Sequence, residues 1–599
     1  MGAGWGKLTM RHQNIYEVIK TEEENFKLPI NVLEGEEWNF YEHVRVSTLY
    51  KNSKYARGTA DRPFKNIIRP ILNLAYRAEG FDVKDIVLFI NDKYKYFKSF
   101  LVKKFHEKWA RENGIDTMID DMVESYVDYG GALLKNTNQV KPEVVPLQSL
   151  AFCDQTDLLS GPFGIKHQYS PEQLREAGKK GGWENIEEVI TLAENEKSKD
   201  NGRVAKTPGK YIEVYEVHGI FPERFLEGKE DYGNGEDDEY FNQVHICTFY
   251  KGDKEERHGI TLFKGKEPEL PFKLVLRDKR YGRALGIGGA EELFEPQVWV
   301  NYDIIRIKEM LDVASKVIFQ TTDPAFTNRN KTLNLDNGEI LIVEDGKQIV
   351  QINTQPVNIQ FFEKSVADWE QQARQMGAAT ESIMGESPSA GTPFKLQELI
   401  TAESHSLHEY RKGKLATFLD EVYRDWIIPH ISREIMKGQE FLAELDLEEL
   451  QSVADSLVVC ETNRILKDRI LNGESIQPED KQILEQTIRE AFLKSGNKKF
   501  IEIFKDEMKD APMDVYVNIV GKQKDLAGMT EKLTNIFKTI IAAPQVLQDP
   551  SMAKLFNQIL ESSGLSPIDF SGFNYQKIEQ SQLTQPQVGG QVPQMISSQ

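Results

Sequence analysis

The chain has 599 residues, of which 40% are hydrophobic and 28% charged, so it contains enough apolar material for a sizeable core. Its formal net charge of −20 argues against tight, static binding of DNA or RNA, because such proteins neutralise phosphates with basic residues. Three cysteines without a CxxC pair, and a start (MGAGWGKLTM) without an apolar leader core, predict a protein made in a reducing cytoplasm. No apolar run reaches the roughly 18 residues of a membrane span, so we expect no membrane partner.

The first half of the chain changes from a helical to a strand-rich pattern. Residues 63–135 predict mostly helix, because apolar residues recur at spacings of three and four up to Gly130 and Gly131. Residues 141–260 contain short β-branched and aromatic segments that predict strands, with polar stretches at 170–210 and 226–240 between them. These strand segments are PEVVPLQSLAFC, KYIEVYEVHGIF and YFNQVHICTFYKG.

A glycine-rich stretch, RYGRALGIGGAEELFEPQ, follows the predicted strand PFKLVLRD and precedes a helical pattern. A P-loop needs Gly-Lys-Ser/Thr, but Ala290 and Glu291 follow the last glycines; Glu291 also stands where a dinucleotide fingerprint needs glycine. Glu291 and Glu292 would repel phosphates at the helix start. We therefore interpret the stretch as a structural turn, with a nucleotide-binding enzyme that uses Gly282–Gly289 as the alternative. The turn glycines are Gly282, Gly286, Gly288 and Gly289.

A long helix is predicted over about 292–319, with Pro296 in its first turn, where a missing N–H costs nothing. Its apolar residues step by four and three, which is typical of a seam that packs on another helix. At 1.5 Å per residue such a helix would reach ~40 Å. The seam residues are Val300, Ile304, Ile307, Leu311, Ala314 and Ile318.

A small β insert and a return helix follow. The segment 321–358 predicts two strands, GEILIVE and KQIVQIN, joined as a hairpin at Asp345-Gly346. An earlier turn is predicted at Asp336, Asn337 and Gly338. A second helix is predicted over about 360–384, so two helices flank the insert.

The last third of the chain is predicted to be helical around one flexible loop. The loop is GESPSAGTPFK, and a long helix over about 394–437 follows, which Pro429 should kink or break. Residues 475–570 are helical in pattern apart from a short apolar piece, YVNIVG, at 516–521. The Gln-rich tail, 575–599, has too little apolar material to fold and is predicted to be disordered.

Residue patterns typical of catalysis or metal binding are weak. His405 and His408 lie three apart on a predicted helix with Glu403 and Glu409 nearby, but the chain has no HExxH motif. We therefore expect solvated histidines rather than a metal site. No nucleophile elbow and no acid–base pair stands out, so we expect neither a catalytic residue nor a cofactor.

The order of these parts resembles that of portal proteins of tailed bacteriophages. The shared order is a mixed helical and β region, a G-x-G-x-x-E turn, a long helix with Gln297 and Asn301 near its start, a β insert, a return helix ending in IMGESPSAGTPF, and a long kinked helix. The resemblance implies an α+β, predominantly helical subunit with wing, stem, clip and crown, which assembles into a ring.

The resemblance also implies where these parts lie. They are a wing at 1–290, a first stem helix at 291–319, a clip at 320–359, a second stem helix at 360–384, a channel loop and long kinked wing helix at 385–474, a crown at 475–574 and the tail at 575–599. The implied channel loop faces DNA and consists of Glu386, Ser387, Pro388, Ser389, Ala390, Gly391, Thr392, Pro393 and Phe394.

A portal-like role implies specific partners. A ring of twelve copies would form in the host cytoplasm and end at one vertex of the virion, where double-stranded DNA passes through during packaging and ejection. The implied protein partners are the terminase large subunit, a head–tail adaptor, and the major capsid and scaffolding proteins. A separate terminase would supply the ATPase, so the chain itself would not be an enzyme. Another virion head–tail adaptor is the second alternative.

Overall fold

The computed structural model of the chain shows an α+β protein. In the described residues, helix accounts for 56% and strand for 21%, so the predicted predominance of helix is confirmed. The chain forms two compact units, residues 1–80 with 118–415, and residues 81–117 with 416–599. The residues that the structure describes are 14–57, 62–83, 86–90, 106–137, 141–199, 211–227, 239–251, 257–315, 318–320, 322, 346, 350–352, 359–379, 394–437, 447–472, 478–495 and 513–517.

Helices and strands alternate irregularly before the glycine-rich stretch. In chain order they are α1 (Ile15–Asn25), β1 (Ile30–Leu33), β2 (Glu36–Trp38), α2 (Phe40–Lys51), α3 (Ile68–Glu79), β3 (Ile86–Ile90), α4 (106–112), α5 (Ile115–Tyr129), β4 (Gly131–Lys135), β5 (Glu143–Val145), β6 (Leu150–Phe152), β7 (Phe163–Tyr169), α6 (Pro171–Gly181), α7 (Ile186–Lys199), β8 (Ile212–Pro222), α8 (Arg224–Glu227), β9 (Tyr240–Lys251), β10 (Arg257–Lys266) and β11 (Phe272–Leu276).

The part after the glycine-rich stretch is mainly helical. Its elements are α9 (Gly289–Glu292), α10 (Phe294–Ala314), β12 (Ile318–Gln320), β13 (Val350–Ile352), α11 (Ile359–Met376), α12 (Phe394–Val422), a π-helical turn (Tyr423–Ile427), α13 (Ile428–Lys437), α14 (Leu447–Leu471), α15 (Pro478–Ser495) and β14 (Met513–Val517). No helix among the described residues is long and apolar enough to cross a membrane.

Two antiparallel sheets form the centre of the first unit. Five strands lie in the order β10-β9-β8-β7-β6, and three in the order β11-β4-β5. The predicted strands KYIEVYEVHGIF and YFNQVHICTFYKG are confirmed as β8 and β9. Apolar side chains from α1, α2 and both sheets share one core, in which Phe40, Phe163 and Leu133 are fully buried. Burial of these apolar faces is the main source of stability for the unit.

One sequence prediction in this region is wrong, and two segments contain elements that were not predicted. The run GALLK is strand β4 rather than the end of a helix, because Gly130 has a φ of +82° and turns the chain away from α5. Strand β3 lies within residues 63–135, which were predicted to be mostly helical. The polar stretch 170–210 contains helices α6 and α7; Ser170 and Gln173 form a capping box at the start of α6.

The second unit combines helices with a two-stranded sheet. Strand β14 pairs antiparallel with β3, so a β piece near 516 is confirmed, although it begins at Met513 and residues 518–521 lie outside the described residues. The predicted break at Pro429 is confirmed as the π-helical turn just before it. Proline has no N–H to donate within a helix, and the wider turn accommodates that loss.

Candidate functional site: the glycine junction and the helix pair

The chain passes from strand β11 into helix α10 through a tight segment, residues 277–293, which we call the glycine junction. Gly282 has a φ of +78°, a left-handed conformation that favours glycine. The other three glycines, Gly286, Gly288 and Gly289, have ordinary φ values. Glycine is needed there because neighbouring atoms leave no room for a Cβ. A Cβ at Gly288 would lie 2.3 Å from the carbonyl oxygen of Asp128, and one at Gly286 would lie 2.8 Å from that of Gly130. The four predicted turn glycines therefore lie together, and backbone meets backbone where helix α5 ends.

Two backbone N–H groups among the junction glycines are used within the chain. Gly286 donates to the carbonyl of Gly130 at 3.2 Å, and Ile287 donates to that of Asp278 at 2.9 Å. The guanidinium of Arg283 donates to the carbonyl of Gly286 at 2.8 Å and lies within 2.8 Å of both Glu291 oxygens. A phosphate-binding loop needs free N–H groups that converge on the ligand. This arrangement argues against the nucleotide-binding alternative.

A buried ionic group holds the junction to helices α3 and α12. Glu79 is fully buried and accepts two hydrogen bonds from Arg277, at 2.9 and 3.3 Å, and one from the Nδ1 of His408, at 3.0 Å. Burial by itself would raise the pKa of Glu79, but the His408 hydrogen bond and the Arg277 charge lower it below its usual value. Glu79 is therefore held as a carboxylate. His408 is buried here, so the prediction of a solvated histidine is wrong for this residue.

The same group continues along α12 to the end of α9. Arg411 donates to Asp278 at 2.7 Å and lies 3.4 Å from Glu292, while Lys414 donates to the carbonyl of Arg277 at 2.5 Å. We call this set the junction network. Its members are Glu79, Arg277, Asp278, Glu292, His408, Arg411 and Lys414. Because oppositely charged members alternate, each buried charge has a partner, as buried charges require.

Two amide side chains fix the first turns of α10. Gln297 accepts from the N–H of Ile67 at 2.8 Å and donates to the carbonyl of Lys65 at 2.7 Å. Asn301 accepts from the N–H of Lys65 at 3.0 Å. These two residues were singled out from sequence as neighbours of the helix start. The structure shows that they bind the backbone just before α3.

Helices α10 and α11 pack against each other as an antiparallel pair. Ser365 donates to Asp303 at 2.6 Å, and the rings of Trp299 and Trp369 stack at 6.1 Å with an interplanar angle of 8°. Beyond the helices, β12 pairs antiparallel with β13, Ile318 opposite Ile352. The antiparallel arrangement of the two helices therefore continues into a two-stranded ribbon.

The predicted seam is only partly a packed surface. Val300 is fully buried, and Ile304, Ile307 and Ala314 are half-buried, whereas Leu311 is 52% exposed. The helix ends at Ala314, so the prediction that Ile318 belongs to it is wrong, because that residue lies in β12. The return helix begins at Ile359, as predicted, and ends at Met376 rather than near 384.

The predicted clip and channel-loop residues lie mostly outside the described residues. Gly346 is a turn residue with a φ of +82°, consistent with a turn at Asp345-Gly346. Strand β13 lies within the predicted KQIVQIN, but the partner that the structure describes for it is β12 rather than GEILIVE. Phe394 begins helix α12. The predicted residues outside the description are Asp336, Asn337, Gly338, Asp345, Glu386, Ser387, Pro388, Ser389, Ala390, Gly391, Thr392 and Pro393.

A set of exposed apolar side chains on the helix pair was not predicted. Trp299 and Tyr302 are 43% and 44% exposed on α10, and the guanidinium of Arg306 lies 4.3 Å from the Tyr302 ring centre. Farther along the pair lie Leu311, Val313 and Phe361, which are 52%, 49% and 74% exposed. We call these last three together the distal apolar surface; Leu311 and Val313 are two positions apart on one helix and therefore face different sides of it. The spacing of four and three identifies only Leu311 of these three residues, because Val313 and Phe361 lie outside the predicted seam.

Comparison with known proteins gives only distant likenesses. The sequence matches no protein-family model and no curated protein. One solved structure, titled as the virion of a native gene transfer agent particle, aligns with a TM-score of 0.28 at 10% identity, covering 78% of this chain and 98% of that one. Another, the neck of an empty gene transfer agent particle computed with C6 symmetry, aligns with a TM-score of 0.29 at 10% identity, covering 74% and 98%. Likenesses this distant carry no argument about function, which must rest on the residues themselves.

Proposed function

We propose that the chain is the subunit of a portal ring at one vertex of a virion. The observation that carries the proposal is the helix pair. Helix α10 starts at the glycine junction, runs antiparallel to α11 and leads into a two-stranded ribbon. A neighbouring copy of the chain would supply the cover that the distal apolar surface lacks.

Ring formation would be favourable because it would remove this apolar surface from water. Exposed apolar side chains are unfavourable by roughly 25 cal/mol per Å² of apolar area. A contact with a neighbour that repeats head to tail closes into a ring when the rotation between copies fits. The exposed Trp299 and Tyr302 would extend the same contact toward the junction.

The remaining roles follow from the proposal. Residues 320–359 would be the clip that docks the terminase large subunit and later the head–tail adaptor. Residues 386–394 would line the channel. The net charge of −20 per copy, repeated around a ring, would repel the phosphates of passing double-stranded DNA and keep it from adhering. Capsid and scaffolding proteins would meet the ring during capsid assembly.

The direct test is the mass and shape of the purified full-length chain. Negative-stain microscopy should show rings with a central hole, and mass photometry should give about a dozen copies of the 68.6-kDa chain. If neither the chain alone nor the chain expressed with scaffolding and capsid proteins forms rings, the proposal is wrong.

A variant pair tests whether the distal apolar surface makes the contact. Leu311→Glu with Phe361→Glu should abolish rings but leave the far-UV circular dichroism and unfolding temperature of the subunit nearly unchanged, because both side chains are exposed. The matched control is Lys308→Glu, which changes charge at an exposed position of α10 without removing apolar surface. Equal ring yield in the double variant and the control would exclude this surface as the contact.

Deletion of residues 325–355 tests the clip assignment. The shortened chain should still form rings and should no longer bind the terminase large subunit in a pull-down. Terminase binding that survives the deletion would contradict the assignment without affecting ring formation.

A further inference from the structure

A buried histidine in the five-stranded sheet lies between two carboxylates, away from the glycine junction. His218 on β8 is 1% exposed. Its Nε2 lies 3.1 Å from an oxygen of Glu216, and its Nδ1 lies 2.9 Å from an oxygen of Glu267, which follows β10. Glu216 and His218 are two apart on one strand and therefore share a face of the sheet.

The geometry fixes the protonation state of this ring. An ionised carboxylate only accepts hydrogen bonds, so a histidine with a carboxylate at each nitrogen must carry a proton on both. Glu216 is itself kept ionised, because it also accepts from Lys135 and, at 2.8 Å, from His167. Burial would raise the pKa of Glu216, but hydrogen bonds from His167 and His218 bring it well below its usual value. These contacts therefore favour the imidazolium form of His218.

Aromatic rings enclose this ion. Phe163 on β7 stacks on the His218 ring at 5.6 Å, and Phe272 on β11 meets it edge-on at 4.7 Å. Such walls exclude water, so that the charge interacts with its two carboxylates in a medium of low dielectric constant.

Further titratable groups near the cluster lie on strands β7, β9 and β10. Tyr169 on β7 stacks on His167 at 5.7 Å, and burial and the Glu216 charge raise its pKa. His245 lies on β9, opposite Val217, which precedes His218. Its pKa is lowered to about 4, first because it is buried and further because Lys264 and His218 lie nearby. Of the two neighbouring histidines, His245 is thus neutral while His218 is charged.

The cluster joins the two sheets of the first unit. Glu216, His218 and His167 belong to strands of the five-stranded sheet, whereas Lys135 is on β4 and Phe272 on β11 of the three-stranded sheet. Strand β11 leads directly into the glycine junction. The state of His218 therefore bears on the strand from which α10 starts.

We propose that His218 is a proton-dependent clamp between the two sheets. With its proton, the ring neutralises Glu216 and Glu267 and holds β8 against β4 and β11. Without it, the buried Glu216 and the partly buried Glu267 lose the cation that lies between them, and the contact between the sheets loosens. The proposal does not depend on the portal assignment.

The sign of the pH dependence follows from the contacts. Burial would lower the pKa of His218, but hydrogen bonds to Glu216 and Glu267 raise it above 6.5. A group whose pKa is higher in the folded state stabilises the fold fully below its unfolded value. This contribution is lost as the pH rises through the folded value. The clamp is thus closed in mild acid and opens in alkali.

The test compares His218→Gln with the wild-type chain and with His258→Gln. His258 is an exposed histidine of the same sheet and serves as the control. Unfolding temperatures would be measured from about pH 6 to about pH 9. We expect the gap between wild type and His218→Gln to be widest at the acid end and to narrow with rising pH, whereas His258→Gln should follow the wild type. A gap that stays constant with pH would overturn the proposal.

Hydrogen exchange would detect the loosening between the two sheets at the strands themselves. After correction for intrinsic exchange, amides of β4 and β11 in the wild type should lose protection at alkaline pH, and those of His218→Gln should not change with pH. If His218→Gln does not fold, Glu267→Gln replaces it, since losing one carboxylate should move the loss of protection to lower pH. An unchanged profile in Glu267→Gln would equally contradict the clamp.

Discussion

The two halves of helix α10 differ in whether they have a buried face. In the first half Pro296, Gln297, Val300 and Asn301 are buried, and the helix is bonded to the segment before α3. In the second half Leu311 and Val313 are about half exposed. The first half also exposes Trp299 and Tyr302 on its other side, so the difference between the halves is the buried face, which the second half lacks.

The contrast indicates which part of the helix the subunit stabilises and which part needs a partner. The first half is held by backbone contact, amide side chains and the junction network, all within one chain. The second half has no comparable set of bonds among the described residues, so its apolar surface gains stability only when something covers it. Mutations in the first half should therefore act on folding, and mutations in the second half should act on assembly.

The largest effect is expected at Gly288. In Gly288→Ala the new Cβ would lie 2.3 Å from the Asp128 carbonyl oxygen, a backbone atom that cannot rotate away. We expect a loss of more than about 4 kcal/mol in the free energy of unfolding, seen as insoluble expression or a large drop in unfolding temperature.

Gly413→Ala is the matched control for Gly288→Ala. It lies in helix α12, and a Cβ there would meet no heavy atom within 4 Å. Alanine at such a position should stabilise the helix by about 0.5–1 kcal/mol. If both variants unfold at the same temperature, the close approach at Gly288 does not exist as described.

The second effect concerns the junction network. Glu79→Ala would leave Arg277 and His408 buried without their carboxylate, which should cost about 3 kcal/mol. Glu42→Ala removes a surface ion pair with Arg45 and should cost less than about 1 kcal/mol. Chemical denaturation of the two variants measures the difference.

The lowered pKa of Glu79 also predicts how the stability difference between wild type and Glu79→Ala changes with pH. Its pKa is lower in the folded state, so its contribution is present above the unfolded value of 4.5 and is lost as the pH falls through the folded value. The gap between wild type and Glu79→Ala should therefore close in acid. A gap that widens in acid would show that Glu79 is not held as a carboxylate.

Much of the local fold follows from sequence pattern, because the deciding residues are close in the chain. The glycine turn, the two helices with a β insert between them, and the break at Pro429 are all found. Strand β4 was missed because GALLK is short and continues a helical pattern; only its pairing with β11, far along the chain, makes it a strand.

The junction network could not be predicted because its members are scattered. Glu79 and His408 are 329 positions apart, and each is an ordinary polar residue of an amphipathic helix. From the sequence, His408 is only a histidine near glutamates on a helix, and its contact with Glu79 could not be predicted. Likewise, the clamp at His218 combines five strands or loops whose proximity depends on sheet order. Periodicity reports which face of an element is apolar and says nothing of which charges meet.

The third effect compares two apolar residues of the same seam. Val300→Ala should cost about 2 kcal/mol, because Val300 is fully buried and a cavity would remain. Leu311→Ala should change the free energy of unfolding of the subunit by less than about 0.5 kcal/mol. Denaturation of dilute subunit, below the concentration at which it assembles, separates the two. Equal costs would mean that the second half of α10 is packed within its own chain.

The smallest effect concerns the stacked indoles of Trp299, in the first half of α10, and Trp369. Trp299 lies 6.1 Å from Trp369, in nearly parallel planes, and is only partly buried. Trp299→Leu and Trp369→Leu keep apolar volume and remove the stack, so their double-mutant cycle should give a coupling of about 0.5–1.5 kcal/mol. Near-UV circular dichroism should lose the same signal in either single variant. Strict additivity, with unequal spectral changes, would mean that the rings do not touch in solution and that α11 supports α10 only through Asp303 and Ser365 at this point.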